Sequence, residues 1–118
     1  MKKRSWPVRL STAAEGDFQD ILRWTAAQFG QTQAHIYAKT ISNALQALSA
    51  GPEATHATMR NDIMPGLLFL HIARAGRKGR HFIVFRVGTR GKEKYVDVLR
   101  LLHDSMDFTR HLPPEEDV

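Results

Sequence analysis

The sequence predicts an α+β fold in which a helical hairpin packs on a small, mainly antiparallel sheet. Three observations predict it. Two stretches with apolar residues at helical spacing fill residues 12–48, with only Gly30-Gln31 or so between them. Three strand-like apolar runs follow Pro52, joined by short basic loops that contain glycine. A weakly alternating segment, Trp6-Pro7-Val8-Arg9-Leu10, comes before the helices. The resulting order, β-α-α-β-β-β, segregates the helices from most of the strands.

Each element has a local cause. Pro7 has no N–H to give a ladder, so the first strand belongs at a sheet edge or is irregular near its start. Ser11-Thr12 opens the first helix, and Thr12 with Glu15 has the spacing of a capping box. Asp17 adds negative charge in the first turns, where the helix dipole favours it. Phe18, Ile21, Leu22, Thr25 and Phe29 form the inward stripe, and Trp24 reads as a packing residue of the hairpin. Gly30 ends this helix by permitting a positive φ. The second helix is expected from about Thr32 to Leu48, with Ile36, Tyr37, Ile41, Ala44, Leu45 and Leu48 facing inward. Gly51-Pro52 stops it.

Beyond Pro52 a short extended piece is expected within residues 54–60. Strands are expected at Leu67–Ala73, His81–Val87 and Tyr95–Leu102, with hairpin loops at Ala75–Gly79 and Gly88–Lys92. The strands carry bulky residues at both parities, so both sheet faces should be covered, the second by a partner. A short helix or turn is expected over 103–112. One domain is expected over residues 1–113, with a disordered acidic tail at 114–118.

Composition bounds the chemistry. The chain has 118 residues, enough for one core. It has no cysteine, which excludes disulfides, a thiolate nucleophile, zinc–thiolate sites and iron–sulfur clusters. Met1-Lys2-Lys3-Arg4 is basic, but Pro7, Arg9, Ser11 and Glu15 keep the adjoining segment from being a long apolar stretch. The greasiest run, Leu67–Ile72, is too short to cross a bilayer. A soluble cytoplasmic protein without a membrane partner is expected. The net charge of +5 favours an anionic partner. Between Arg74 and Arg100 stand nine cations against only Glu93 and Asp97.

The motifs exclude more than they assign. The six histidines show no H-x-x-x-H or H-E-x-x-H spacing, so neither a metal site nor a cofactor is expected. No serine lies in a G-x-S-x-G elbow, and there is no phosphate-binding glycine loop. The run Ala75-Gly76-Arg77-Lys78-Gly79-Arg80 reads as an exposed basic hairpin tip. His103 beside Asp104 is either a general base or an anchor for the strand-to-tail turn. Arg86 and Arg100 sit inside apolar runs, where an unpaired charge is costly. They form either internal ion pairs, for example with Asp97 or Asp107, or a cationic sheet face for an anionic ligand. Phe69, Phe82, Phe85 and Tyr95 are spaced like core residues.

The whole pattern from Val8 to Pro113 resembles the RelE/ParE superfamily of type II toxin–antitoxin toxins, most closely its ParE branch. The residues that carry the resemblance are Asp17-Phe18-x-x-Ile21, Phe29-Gly30, Ala34-x-x-Tyr37 and Leu45-x-x-Leu48-x-x-x-Pro52, then Arg60 and Phe82-x-Val84-x-Arg86. Most telling is the ending Val98-Leu99-Arg100-Leu101-Leu102-His103-Asp104-Ser105-Met106-Asp107, with Arg110-His111-Leu112-Pro113 after it. The resemblance implies a toxin that traps DNA gyrase on cleaved DNA without chemistry of its own. It also implies a ParD-like antitoxin, with a DNA-binding domain and an acidic tail that folds on the toxin, in a hetero-oligomer. Arg60, Arg80, Arg86, Arg100, His103 and Asp107 are the candidate contacts for target or antitoxin. Two alternatives stand beside this. One is a ribosome-dependent mRNA endonuclease of RelE type, with His103, Arg100 and Arg110 as its catalytic set. The other is an inactive relative that only binds its antitoxin.

Overall fold

Ser11, not Thr12, starts the first helix. In the computed structural model, which describes residues 5–110 and 112, Ser11 Oγ accepts the Ala14 N–H at 3.0 Å. The same hydroxyl donates to the carbonyl of Leu99 at 2.8 Å, and the Ser11 N–H donates to Val98 O at 2.9 Å. The Thr12–Glu15 box is therefore not the cap. Ser11 wins because one side chain satisfies a helix donor and also ties the helix to the sheet.

Strand β1 (Val8–Leu10) precedes α1 (Thr12–Phe29). Gly30 alone turns the chain into α2 (Gln31–Ala47), at φ 94°, where a side chain would be strained. The second helix tightens into a 3₁₀ turn at Leu48–Ala50, and Pro52 then begins the short α3 (Pro52–Thr55). Pro52 thus opens a new turn, its missing N–H being one that a first helical position never pairs. The expected extended piece is β2 (Thr58–Met59). Strands β3 (Leu68–His71), β4 (His81–Arg90) and β5 (Glu93–His103) come next. The β4–β5 hairpin is longer than expected, because Gly88 and Thr89 pair with Tyr95 and Lys94 and leave only Gly91-Lys92 as its turn. A 3₁₀ turn at Phe108–Arg110 comes after β5. The expected acidic tail at 114–118 lies outside the described residues.

The strands form one sheet in the order β1-β5-β4-β3-β2. Only β1 runs parallel to its neighbour, β5; the other pairs are antiparallel. The helices cover one face. Ile41, Ala44 and Leu48 are buried there against Leu70, Ile83, Phe85, Val96 and Val98.

The apolar half of the second face is covered by the chain itself, so its bulky residues do not need the partner expected to cover them. Leu67, Phe69, Val84, Leu99 and Leu102 form a second core, covered by Ile63 and Met64 from one loop and by Phe108 and Leu112 from the C-terminal strap. Rings of Phe69, Phe82 and Phe108 meet edge to face at 4.8–5.6 Å, which favours this closure beyond simple area burial.

A register shift near Leu99 makes the alternating cores possible. Val84 faces Arg100 but Phe85 faces Val98, so β5 holds one extra residue. Val98 and Leu101 therefore both serve the helix-side core, while Leu99 and Leu102 serve the second. Arg100, opposite Val84 beyond the bulge, extends its long side chain to reach the helical layer.

Candidate functional site

That reach creates the strongest polar contact between the layers. Arg100 forks onto Asp17 of α1, with Nε to Oδ2 and Nη2 to Oδ1 both at 2.8 Å. Asp17 Oδ2 also accepts the Leu101 N–H at 2.9 Å. The carboxylate that forks onto Arg100 is Asp17, which the sequence did not nominate as its partner. The hydrogen bond to Asp17, joined by the carboxylate's charge, holds Arg100 above its ordinary basicity.

The other nominated arginines are also held by carboxylates. Arg60 Nε and Nη2 reach Asp62 at 2.9 and 2.8 Å. Arg80 Nε lies 3.1 Å from Asp104 Oδ1. Arg86 Nε lies 3.3 Å from Asp97 Oδ2, one of the two arrangements its apolar run allows. Arg110 Nε stands 3.8 Å from Asp107 on the exposed strap. These residues do not converge on one point: Arg60 follows β2 at one sheet edge, Arg80 precedes β4, Arg86 turns to Asp97 on β5, and Arg100 turns to Asp17 on α1.

A polar cluster gathers at the end of the sheet where β4 starts and β5 ends. The Tyr37 hydroxyl accepts the Arg80 N–H at 2.9 Å. The same hydroxyl is hydrogen-bonded to His81 Nδ1 at 2.6 Å. His71 Nδ1 accepts the Ala73 N–H at 3.0 Å, so its Nε2–H donates to Asp104 at 3.0 Å. His103 does not bond Asp104, 3.6 Å away; its Nδ1 accepts from the Ser105 N–H and lies 2.7 Å from the Ser105 hydroxyl. The rings of His81 and His103 stand edge to face at 5.1 Å.

Two of these groups, His81 and Asp104, are held below their ordinary ranges. Burial, and then the neighbouring His103, lower His81 from 6.5 to about 4. The hydrogen bond from Arg80, then that from His71, lower Asp104 to about 2. Because unfolded His81 takes its proton first, stability falls as pH drops from 6.5 toward 4. The Asp104 contribution is present above its ordinary pKa and is lost as pH falls from about 4 toward 2. A loss of about 1 kcal/mol between pH 7 and 5 is expected, the partial solvent access of the ring being allowed for. Urea midpoints at the two pH values measure it, and His81→Gln should flatten the difference.

Beside the cluster, α1 and α2 and the 76–81 segment enclose an open groove of about 1210 Å³. Its apolar lining includes Ile21, Trp24, Phe29, Ile36 and Met106. Trp24 and Phe29 are 60% and 65% exposed and meet edge to face at 5.9 Å. Arg77, Lys78 and Arg80 line the opposite wall. Arg77 is fixed there by Thr40 Oγ1 at 2.9 Å and Ile36 O at 3.2 Å. An exposed apolar floor with a cationic rim suits an amphipathic acidic segment. Among the described residues, no group of three His, Asp or Glu side chains is placed to hold a metal ion. No helix there is long and apolar enough to cross a membrane.

A sequence model described as the ParE toxin of type II toxin–antitoxin systems, parDE, matches residues 8–108. This chain belongs to the ParE toxin family. Toxin ParE1 of Caulobacter vibrioides is 28% identical over 106 residues, covering 90% of this chain and 97% of that protein. Toxin ParE1 of Mycobacterium tuberculosis is 31% identical over 103 residues, covering 87% of this chain and 94% of that protein. Among solved structures, the chromosomal ParDE toxin–antitoxin system from P. aeruginosa matches with a TM-score of 0.64 at 19% identity, over 85% of this chain and 97% of that one. A YoeB/ParE toxin from Agrobacterium tumefaciens matches with a TM-score of 0.53 at 14% identity, over 82% and 96%. At these identities the two structures support the shared fold.

The chain is thus a ParE-type toxin of a type II toxin–antitoxin system, α+β as its sequence predicts. The groove of this ParE toxin was not legible in the sequence. Helical spacing places Phe29 in the inward stripe and Trp24 within the hairpin packing, yet both face solvent. The available signal was excess: the helical stripes hold more large apolar residues than a face about 100° wide can bury. The polar contacts of Tyr37, His81 and His71 were not legible because their partners lie 33–44 residues away.

Proposed function

We propose that this ParE-family toxin acts by binding DNA gyrase and stabilising its cleaved DNA complex, and that a cognate antitoxin silences it by laying an acidic amphipathic segment in the Trp24–Phe29 groove. The observation that carries a binding role is the commitment of Arg60, Arg80 and Arg100, each through two guanidinium nitrogens, to carboxylates of their own chain. A guanidinium engaged in this way is a poor ready-made partner for a scissile phosphate. Family membership supports the toxin role, and the groove supports the antitoxin. The antitoxin in this reading carries a DNA-binding domain and forms a hetero-oligomer with the toxin.

Purified toxin added to gyrase and relaxed plasmid should suppress supercoiling and accumulate linear DNA after detergent and protease treatment. Normal supercoiling with excess folded toxin contradicts the proposal.

A second reading draws on the neighbourhood of Tyr37, Arg80, His81 and His103 at one groove wall: cleavage of mRNA on the ribosome, with His103 as base. In that case a translation extract shows codon-linked cuts that disappear with His103→Ala. Unbroken mRNA together with inhibited gyrase decides for the first reading. Growth unaffected by induction, with antitoxin still captured, marks a relative that only binds antitoxin.

A further inference from the structure

The sheet's outer face has a second half that the described residues of the C-terminal strap do not cover. Phe108 packs at the Phe69–Phe82 end. Toward the other end, β4 outruns β3, whose pairing stops at Phe85 opposite Leu68. The hairpin from Arg86 to Asp97 projects past it. Register fixes what this projection displays. Val87 pairs with Val96 and Phe85 with Val98, and these residues belong to the helix side. Arg86, Gly88 and Arg90, with their partners Asp97, Tyr95 and Glu93, therefore share the outer face. Arg9 joins them, because it is aligned with Asp97 across the parallel pair.

The local packing makes this face flat and cationic. The Tyr95 ring lies where a side chain on Gly88 would stand. The Arg9 guanidinium lies over that ring, 5.4 Å from its centroid. Arg86 and Arg90 sit about 13 Å apart along the strand, at about 3.4 Å per residue. Lys92 in the turn continues the row. Arg86 is half exposed despite its contact with Asp97, and Arg90 and Lys92 are exposed.

We propose that this outer face of the β4–β5 hairpin, with Arg9, Arg86, Arg90 and Lys92, grips the phosphate backbone of duplex DNA without reading its sequence. Charge complementarity selects the occupant. Duplex DNA presents one negative charge per roughly 1.7 Å of axis, and its major groove admits a two-stranded ribbon. An acidic protein segment that folds on binding needs apolar anchors as well as charge. The large exposed apolar side chains are Trp24, Phe29, Ile36, Met59, Val87 and Met106. Four of these line the groove, Met59 belongs to β2 at the far edge, and Val87 points to the helix side. The hairpin's outer face offers charge and one ring already covered by Arg9. This inference is independent of gyrase: DNA binding by the hairpin stands or falls without it.

The test titrates the full chain into a fluorescein-labelled duplex of arbitrary sequence, about two helical turns long, and reads anisotropy. Engagement of three or four phosphates predicts a loss of affinity of about 40- to 150-fold between 50 and 200 mM NaCl. The double variant Arg90→Ala/Lys92→Ala removes two exposed cations. It should bind about 10-fold or more weakly at the lower salt and reduce the salt slope by about two, with unchanged circular dichroism. Lys39→Ala, on the exposed side of α2, should match the parent chain. No salt-sensitive binding by the folded parent overturns the proposal, as does a double variant that binds DNA like the parent. A double variant that keeps DNA affinity but loses its antitoxin also overturns it and assigns the face to an acidic protein segment. Supercoiling inhibition, measured separately on gyrase, reports on the proposed target and not on this face.

Discussion

Asp17→Ala is expected to destabilise the toxin by about 3 kcal/mol, because it removes the carboxylate from a largely buried guanidinium and from a strand N–H together. The pair is bidentate, its side chains are 25% and 14% exposed, and it bridges α1 to the β5 bulge. A loss of that size is a large share of the roughly 5–15 kcal/mol that holds such a domain folded. In thermal unfolding it corresponds to a fall in Tm of about 10 °C. Asp17→Asn keeps an oxygen for the Leu101 N–H and should cost less. Combining Asp17→Ala with Arg100→Met should recover part of the loss, since no charge is then left without its partner. Urea unfolding of the parent, both single variants and the double variant closes the cycle. A shift below about 0.5 kcal/mol for Asp17→Ala would mean that solvent replaces the pair freely and that it does not fasten the layers.

Trp24→Ala is expected to weaken capture of the antitoxin by about 30- to 1,000-fold, the usual range when a central aromatic anchor is removed. Stability should barely change, because the indole is already mostly in water. The expected growth phenotype is release: cells making both proteins stop growing when the toxin carries Trp24→Ala. Titration calorimetry with an antitoxin tail peptide separates affinity from folding. An affinity close to that of the parent would place the antitoxin elsewhere and leave the groove without its proposed ligand. The Lys78 and Arg80 rim should contribute mainly to salt-sensitive association, as charges at an interface edge do.

Much of the architecture was legible because it rests on local chemistry. Apolar spacing marks α1 and α2, and Gly30 marks the turn between them, since only a glycine tolerates its φ without strain. Alternation and short basic turns mark β4 and β5. The edge position of β1 follows from Pro7. Local rules also misled where two options competed. Thr12 and Glu15 fit a capping box, but Ser11 could satisfy α1 and β5 at once, and that second bond involves a residue 88 positions away. Gly88 looked like loop, yet the Tyr95 ring across the strand supplies the packing that the glycine lacks.

The candidate surfaces divided along the same line. His103 and Asp104 are adjacent in sequence, but Asp104 turns to His71 and Arg80, and His103 turns to Ser105. Arg86 and Arg100 looked equivalent in two similar apolar runs. Arg100 reaches across to Asp17 of α1, whereas Arg86 stays on the outer face with Asp97.

By itself the sequence determined the element order, the strong positive charge and, through its closing Arg100-to-Asp107 motif, the toxin family. The tertiary structure alone decided which apolar residues remain outside, that the apolar half of the second sheet face closes on Phe108 and Leu112, and which cations stay available. The physical reason is that spacing along a chain specifies a face only relative to its own element. What that face meets depends on register, bulges and closure, which join residues tens of positions apart.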